Sequence, residues 1–232
     1  MAINRENYQQ LLSETKEKGA TLVAVSKTKP VSDILSLYEL GQRDFGENYV
    51  QELVEKQAQL PSDIRWHYIG HLQRNKVKFI APFVHLIHGV DSFRLLQEIS
   101  KQADKLNRTI QCLLQIHIAA EETKFGMDEA ELTDCLDSVA HGRVAGQFQH
   151  IRLLGLMGMA SFSEDREKVR SELAGLQSML KKVEPRLDLN GDSPILSMGM
   201  SADYDLALEQ GSNMIRIGSS LFGARQYPAS TG

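Results

Sequence analysis

Short apolar runs alternate with segments of helical periodicity along the whole chain. The runs are rich in valine, isoleucine and leucine, which is typical of strands buried on both faces of a parallel sheet. Between them, apolar residues recur every three or four positions, as on the buried face of a helix. The predicted strands cover residues 22–25, 43–45, 66–69, 86–90, 112–118, 152–157, 195–197 and 214–217.

Capping residues mark the boundaries of several helical segments. Ser32 is predicted to be the N-cap of a helix that ends before Gly41, and Ser92 is predicted to be the N-cap of another. One further helix is predicted before the first strand, and a longer one is predicted after the sixth. The apolar positions that define these two helices are Ile3, Leu11 and Leu12, and Val169, Leu173, Leu176 and Leu180.

The eight strand–helix units predict the fold class. Divided among 232 residues, they give roughly 29 residues each, which suits a βα repeat. We therefore expect an α/β protein, a (β/α)8 TIM barrel with an additional N-terminal helix, and the alternative is an open, doubly wound sheet. No Pro-, Gly- or Ser-rich linker divides the sequence, so residues 1–232 are predicted to form a single domain with a frayed end at 226–232.

Composition and charge exclude several classes of function. The chain has 26 Lys and Arg against 30 Asp and Glu, a net charge of −4, whereas nucleic-acid binding needs a concentrated positive surface. No apolar run approaches the ~18 residues that span a bilayer, and the polar N-terminus does not resemble a secretory signal. Cys112 and Cys135 lie in apolar or amphipathic stretches, as reduced thiols do. We expect a cytoplasmic, monomeric protein that binds neither nucleic acid nor membranes.

Candidate chemistry lies at the carboxyl ends of the predicted strands, where barrels bind their ligands. Lys27 follows the first strand directly. Partial desolvation there favours the neutral amine, which attacks aldehydes, although a lysine at a strand end can also extend into solvent. The last two strands run into residues 197–201 and 216–220, where small residues can present N–H groups and hydroxyls to phosphate. Their alternative role is that of tight βα connections.

Together these features predict a site for pyridoxal 5′-phosphate (PLP), a phosphorylated aldehyde. Arg216 has only hydrogen-bond donors, so contact with the pyridine nitrogen requires that nitrogen to be unprotonated. An unprotonated ring is a weak electron sink, which disfavours carbanion chemistry. The alternative role of Arg216 is an interior charge paired with a carboxylate.

Six motifs in order resemble the pyridoxal phosphate homeostasis protein family, the single-domain relatives of the alanine racemase N-terminal barrel. The resemblance runs nearly from end to end of the chain. Lys27 lies in the first motif, AVSKT at residues 24–28, and Arg216 lies in the last. The others are FGENYVQE at 45–52, WHYIGHLQRNK at 66–76, GLMGM at 155–159 and LSMGMS at 196–201, and the last is RIG at 216–218 followed by LFG at 221–223.

The resemblance implies the role of each site residue. Lys27 would hold PLP as a Schiff base, and Arg216 would face the pyridine nitrogen. Lys124 is expected to face solvent. No metal site is expected, because the histidine pairs at 67 and 71 and at 85 and 88 lack a third ligand. The phosphate is expected to contact Ser197, Met198, Gly199, Met200, Ser201, Gly218 and Ser219, and the ring is expected to contact Asn48, His67 and Met157.

The resemblance also implies a function in intracellular PLP (vitamin B6) homeostasis. No robust catalytic activity is expected, and PLP-dependent apoenzymes are the candidate recipients. The alternative is a PLP-dependent amino-acid racemase, which needs a second base opposite Lys27. Two-domain racemases supply that base as a tyrosine from an additional β domain. The predicted barrel extends to about Gly223 and leaves too few residues for such a domain.

Overall fold

The chain folds as a closed barrel of eight parallel strands in sequence order. A computed structural model describes residues 3–119 and 125–223, so Lys124 and residues 226–232 lie outside the described ranges. Each strand pairs with the next, and the last pairs with the first, with Ala24 beside Ile217. The TIM barrel prediction is confirmed, and the open sheet is excluded. The strands are β1 (Thr21–Val25), β2 (Asp44–Glu47), β3 (Arg65–Tyr68), β4 (Leu86–Val90), β5 (Ile110–Ile116), β6 (Ile151–Gly158), β7 (Ile195–Ser197) and β8 (Met214–Ile217).

The strand bounds differ from the predicted runs by at most two residues at either end. The bounds of β4, β7 and β8 agree with the prediction, while β2 begins one residue later and extends to Glu47. The prediction for β5 was shifted toward the C-terminus. Its ladder with β6 ends at Ile116 beside Gly158, so His117 and Ile118 lie beyond the ladder.

Helices surround the barrel, and one precedes the first strand as predicted. In the described ranges none of them is long and apolar enough to cross a membrane. Two short 3-10 turns, Arg74–Lys76 and Glu184–Arg186, join this outer layer. The helices are α1 (Arg5–Glu17), α2 (Val31–Glu39), α3 (Val50–Gln57), α4 (Val77–Ile80), α5 (Phe93–Leu106), α6 (Glu129–Val144), α7 (Arg166–Val183), α8 (Tyr204–Glu209) and α9 (Ser219–Phe222).

The predicted helix caps are partly confirmed. Ser92 is the N-cap of α5, and its hydroxyl accepts a hydrogen bond from the Leu95 amide at 3.4 Å. Gly41 follows the end of α2 with a φ of +102°, as a residue after a helix commonly does. The N-cap prediction for Ser32 was wrong, because α2 begins at Val31, so Pro30 is the N-cap and Ser32 lies within the first turn. Pro30 has the extended backbone of an N-cap residue, with a ψ of 159°, and makes no side-chain capping hydrogen bond.

The apolar core has two parts. The larger part lies between the outer faces of the strands and the helices, where Leu173 and Leu176 of α7 are fully buried. A smaller cluster fills the inside of the barrel. Two of its members, Leu86 and Met214, are the first residues of their strands, so the barrel interior is apolar toward the amino ends. The inner cluster consists of Val23, Leu86, Leu113, Leu154, Met157 and Met214.

Candidate functional site

Lys27 lies in a tight turn at the carboxyl end of β1. Ser26 before it is buried, Lys27 is half-buried, and Thr28 after it has a φ of +63°. A left-handed conformation costs a non-glycine residue about 1–2 kcal/mol, so other contacts must hold it. The Thr28 amide donates to Glu52 Oε1 at 2.6 Å, and the Lys29 amide closes the turn onto the Ser26 carbonyl at 3.0 Å. The turn therefore fixes the backbone from which the Lys27 amine projects.

A largely buried group of charged and polar residues supports this turn, with members on β2 and α3. The Glu47–Lys56 cluster consists of Ser26, Glu47, Glu52 and Lys56. The Lys56 ammonium donates to the Ser26 carbonyl at 2.7 Å, to Glu47 Oε1 at 2.7 Å and to Glu52 Oε1 at 2.6 Å. The Ser26 hydroxyl also donates to Glu47 Oε1, at 2.6 Å. Burial raises the pKa of Glu47 to about 7, although the Lys56 charge and the hydrogen bonds from Lys56 and Ser26 oppose this increase.

The turns after β7 and β8 are joined to each other. The Arg216 amide donates to the Gly199 carbonyl at 2.9 Å, and the Met198 amide donates to the Met214 carbonyl at 3.2 Å. Gly199 has a φ of +98°, and a Cβ atom there would lie 2.7 Å from the Ala207 Cβ, so only glycine fits. The two turns therefore form one continuous rim, as two small-residue turns on adjacent strands were expected to do.

The amide of Met200 is already used within the first of these turns. It donates to Asp203 Oδ1 at 2.6 Å, and the Asp203 amide donates back to the Met200 carbonyl at 3.1 Å. The amides of Met198 and Met200 therefore both donate within the protein. The Ser201 hydroxyl is a polar group that this turn can offer a ligand. Phosphate contacts from Met198 and Met200 stay a prediction.

The turn after β8 lies beside the carboxyl end of β1. Ala24 pairs with Ile217, and a Cβ atom on Gly218 would lie 3.3 Å from Val25. Ser219 follows Gly218 and is exposed. Because Lys27 follows Val25 by two residues, the barrel brings Lys27 to the same rim as both turns.

Arg216 lies inside the barrel, one strand from Lys27. Its guanidinium donates from Nη1 to the Ser197 hydroxyl at 2.7 Å and from Nη2 to the Gly158 carbonyl at 3.0 Å. Burial lowers the pKa of Arg216 to about 10, and the negative charge of Asp203 opposes this decrease, so the group stays protonated at neutral pH. Within residues 3–119 and 125–223 no carboxylate forms an ion pair with it, and the alternative role as half of an ion pair has no support there.

His67 is a buried residue of β3 and is linked to Arg216 through two other side chains. Its Nδ1 lies 2.9 Å from His88 Nε2, and its Nε2 lies 3.0 Å from Asp44 Oδ1. Nδ1 of His88 in turn lies 2.9 Å from the hydroxyl of Ser197, the residue that Arg216 contacts. Both nitrogens of His67 are thus used within the protein, and its predicted contact with a cofactor ring stays a prediction.

The other two residues predicted to line the cofactor ring lie on a barrel strand or directly after one. Met157 of β6 is buried in the inner apolar cluster. Asn48 follows β2, next to β1, and its carbonyl accepts a hydrogen bond from the Tyr68 hydroxyl at 2.9 Å. The side-chain oxygen of Asn48 is buried and has no hydrogen-bond partner among the described residues. An unpaired buried acceptor costs about 1–3 kcal/mol, so this oxygen fits a donor on a bound ligand.

Comparison with known proteins identifies the family. The family model described as "Alanine racemase, N-terminal domain" matches residues 2–226. The chain is 37% identical over 212 residues to the pyridoxal phosphate homeostasis protein of Aquifex aeolicus, covering 91% of this chain and 90% of that protein. The chain belongs to the pyridoxal phosphate homeostasis protein family. The resemblance inferred from the six sequence motifs is thereby confirmed.

Solved structures agree with the fold of this family member. PipY of Synechococcus elongatus, solved without PLP, is similar with a TM-score of 0.84 and 34% identity over 94% of this chain and 99% of that chain. PipY has also been solved with PLP bound, and that structure has a TM-score of 0.80 and 33% identity over the same shares of the two chains. The alanine racemase of Bartonella henselae, at 18% identity, shares the fold alone, with a TM-score of 0.72 over 96% of this chain and 60% of that chain.

The Glu47–Lys56 cluster and the role of His88 were not found from the sequence. Glu52 and Lys56 are four residues apart on α3, which is a recognisable signal for a helical ion pair. Nothing local to Glu47 indicates that it is buried, and the apolar run at 86–90 indicates burial of His88 but not the partners of its ring. Within the described ranges, no group of three His, Cys, Asp or Glu side chains lies close enough together to hold a metal ion.

Proposed function

We propose that this family member binds PLP, holds it as a Schiff base on Lys27, and serves intracellular PLP homeostasis without robust catalytic activity. The observation that carries the proposal is the position of Lys27 and of the β7 and β8 turns at one barrel rim, with Arg216 inside that rim. PipY, at 33% identity, has been solved with PLP bound, which supports the identity of the cofactor.

Each contact to PLP follows from the chemistry of the side chain. The Lys27 amine bonds to the aldehyde carbon with loss of water. The hydroxyls of Ser201 and Ser219, with the close-packed Gly218, suit the phosphate at the rim. The unpaired oxygen of Asn48 suits the ring hydroxyl, which is a donor. Arg216 suits the pyridine nitrogen, toward which it can only donate. No metal ion is needed for any of these contacts.

The weak catalysis that we propose follows from Arg216. PLP enzymes stabilise carbanions by drawing electrons into the pyridine ring, and a protonated ring nitrogen makes that ring a good sink. Because Arg216 has no acceptor and keeps its proton at neutral pH, the ring nitrogen opposite it stays unprotonated. A racemase would also need a second base opposite Lys27. The names of the curated relatives, as homeostasis proteins, support the same conclusion.

The attachment to Lys27 is tested by reduction with borohydride after loading with PLP, followed by peptide mapping. The label is expected on Lys27, and the yellow imine absorbance is expected to be lost in Lys27→Ala. Lys101→Ala removes an exposed lysine on α5 and serves as the matched control, with unchanged colour and labelling. Recovery of the label on Lys76 or another lysine would contradict the assignment of Lys27.

The absence of robust catalysis needs its own assay. We expect the loaded protein to leave the enantiomer composition of L-alanine, and of other L-amino acids, nearly unchanged over many hours. Turnover at ordinary enzymatic rates, about 1–1,000 per second, would favour the racemase alternative.

We further propose a cytoplasmic location, supported by the two thiols. Cys112 and Cys135 are free and buried, as cysteines of reducing compartments are. Apoenzymes as recipients, a single domain and a monomeric state stay predictions from the sequence.

A further inference from the structure

A chain of four hydrogen bonds crosses the inside of the barrel. The Asp44–Arg216 chain consists of Asp44, His67, His88, Ser197 and Arg216, and all five residues are buried. The bonds measure 3.0 Å from Asp44 to His67, 2.9 Å from His67 to His88, 2.9 Å from His88 to Ser197 and 2.7 Å from Ser197 to Arg216. It begins at the first residue of β2 and ends at the guanidinium beneath the rim.

The two ends of this chain have opposite hydrogen-bonding character. Arg216 can only donate, and an ionised Asp44 can only accept. Burial acts to raise the pKa of Asp44, but hydrogen bonds from His67 and Arg65 outweigh it and lower the pKa to about 2. Burial lowers the pKa of His88 well below its usual value, and the charges of His67 and Arg216 act in the same direction. His88 is therefore neutral and carries one hydrogen.

Only one arrangement of hydrogens satisfies all four bonds with neutral rings. The Ser197 hydroxyl accepts from Arg216 and donates to His88 Nδ1. His88 then carries its hydrogen on Nε2 and donates to His67 Nδ1, and His67 carries its hydrogen on Nε2 and donates to Asp44. In the reverse arrangement, the lone pair of His67 Nε2 would face the Asp44 carboxylate and repel it.

We propose that Asp44, His67, His88 and Ser197 are positioning residues that hold the Arg216 guanidinium in one orientation beneath the rim. Each donor in the chain strengthens the next acceptor, so the negative charge of Asp44 makes the Ser197 oxygen a better acceptor for Arg216. The chain stabilises the cation at a distance. A carboxylate directly beside Arg216 would instead occupy its donors in a bidentate pair and turn it away from a ligand.

The consequence for PLP rests on the proposed function. With Nη1 held by Ser197 and Nη2 by the Gly158 carbonyl, the guanidinium is held on two sides while its other hydrogens remain for a ligand. The other ionisable groups around the chain are Arg65, paired with Asp44, His85, whose ring lies 5.4 Å from that of His67, and Asp203, whose charge acts on Arg216.

The apoprotein tests the chain without any cofactor. Nitrogen-15 NMR of the histidine rings at about pH 8 is expected to find the ring hydrogens of His67 and His88 on Nε2. The guanidinium hydrogens of Arg216 are expected to exchange slowly with solvent. Either ring with its hydrogen on Nδ1, or fast exchange at Arg216, would overturn the proposal.

Variants break the chain at two places. Ser197→Ala removes one hydroxyl, and His88→Leu removes both ring nitrogens, so both are expected to accelerate exchange at Arg216 by about tenfold or more. His88→Gln retains a donor and an acceptor and is expected to restore part of the protection. His150→Gln, in a surface pair with Asp104, is the matched control and should change nothing at Arg216. If His88→Leu does not fold, Ser197→Ala decides the question, and unchanged exchange in that variant overturns the proposal.

Binding measurements connect the chain to the cofactor. In Ser197→Ala the dissociation constant for PLP is expected to rise about tenfold, and the pH profile of the imine absorbance is expected to shift, which a merely structural loss of stability would not cause. An unchanged profile with unchanged affinity would overturn the positioning role. Failure of the wild-type protein to bind PLP would contradict the proposed function, and the NMR of the apoprotein would still decide whether the chain positions Arg216.

Discussion

Glu47→Gln is expected to change how the stability of the protein depends on pH. Glu47 is fully buried, and burial raises its pKa from 4.5 to about 7. In the unfolded chain the carboxyl ionises near 4.5, so at pH values between these two the folded state retains a proton that the unfolded state has lost. This contribution to stability is complete below the lower pKa and is lost as the pH rises through the upper one. The total loss amounts to about 3 kcal/mol.

Glutamine has nearly the same shape and no proton to lose in this range. Its amide oxygen can accept the hydrogen bonds of Ser26 and Lys56, and its NH2 group takes the place of Oε2, a buried atom without a partner. Two histidines, the half-buried His85 and the buried His88, act against Glu47 in the same pH range. Burial lowers the pKa of His85 to about 4 and that of His88 well below its usual value, so the stability they contribute is lost as the pH falls. The informative quantity is therefore the difference between wild type and variant.

Urea unfolding of the apoprotein at several pH values, followed by the fluorescence of the buried Trp66, measures this difference. The free energy of unfolding of wild type minus that of Glu47→Gln is expected to decrease by about 3 kcal/mol between about pH 4.5 and 7.5. Glu55→Gln, at an exposed position on α3, is the matched control and should give a constant difference. A difference for Glu47→Gln that stays constant, or that increases with pH, would refute the assignment of a buried, protonated carboxyl.

Three further predictions concern stability and reactivity. Gly199→Ala is expected to destabilise the protein by about 2–4 kcal/mol through strain and overlap, whereas Gly191→Ala, at a similar φ of +95° with open space around it, should cost about 1 kcal/mol in the same denaturation assay; equal losses would argue against the overlap. Ser92→Ala should cost about 1 kcal/mol and Ser32→Ala less than about 0.5 kcal/mol, because only the first caps a helix; the reverse order would contradict the observed start of α2. Cys112 should react with a thiol reagent only on unfolding, because burial raises its pKa and excludes the reagent, and rapid labelling of the native protein would contradict this.

The barrel could be predicted because each strand is a local feature of the sequence. Even β7, with only three residues, follows the expected bounds, since Ile195 and Leu196 precede a turn of small residues. The helices α3, α4, α6, α8 and α9 were not individually predicted. A signal for α6 was present, because Asp128 and Glu131 form a capping box, with each side chain bonded to the backbone of the other.

The rim of the site could be predicted, but the interior beneath it could not. Lys27 and Gly218 follow strand ends, and barrel topology alone brings such ends together. The partners His88 and Ser197 are 109 positions apart, and which interior side chains meet depends on the stagger of the strands. A run of apolar residues does not encode that stagger. Glu47 and Lys56 were missed for a different reason, because acidic and basic residues are rarely buried and nothing local indicated this exception.

The pairing of β1 with β8 has a consequence for biosynthesis. The Lys29 ammonium donates to the carbonyl of Phe222, 193 positions later, and β1 lacks one neighbour until β8 has left the ribosome. Contacts between such distant segments form late, because a long loop must close before they are made. Lys27 and Lys29, made among the first thirty residues, therefore come next to the turn after β8 only when the last strand of the barrel has been made.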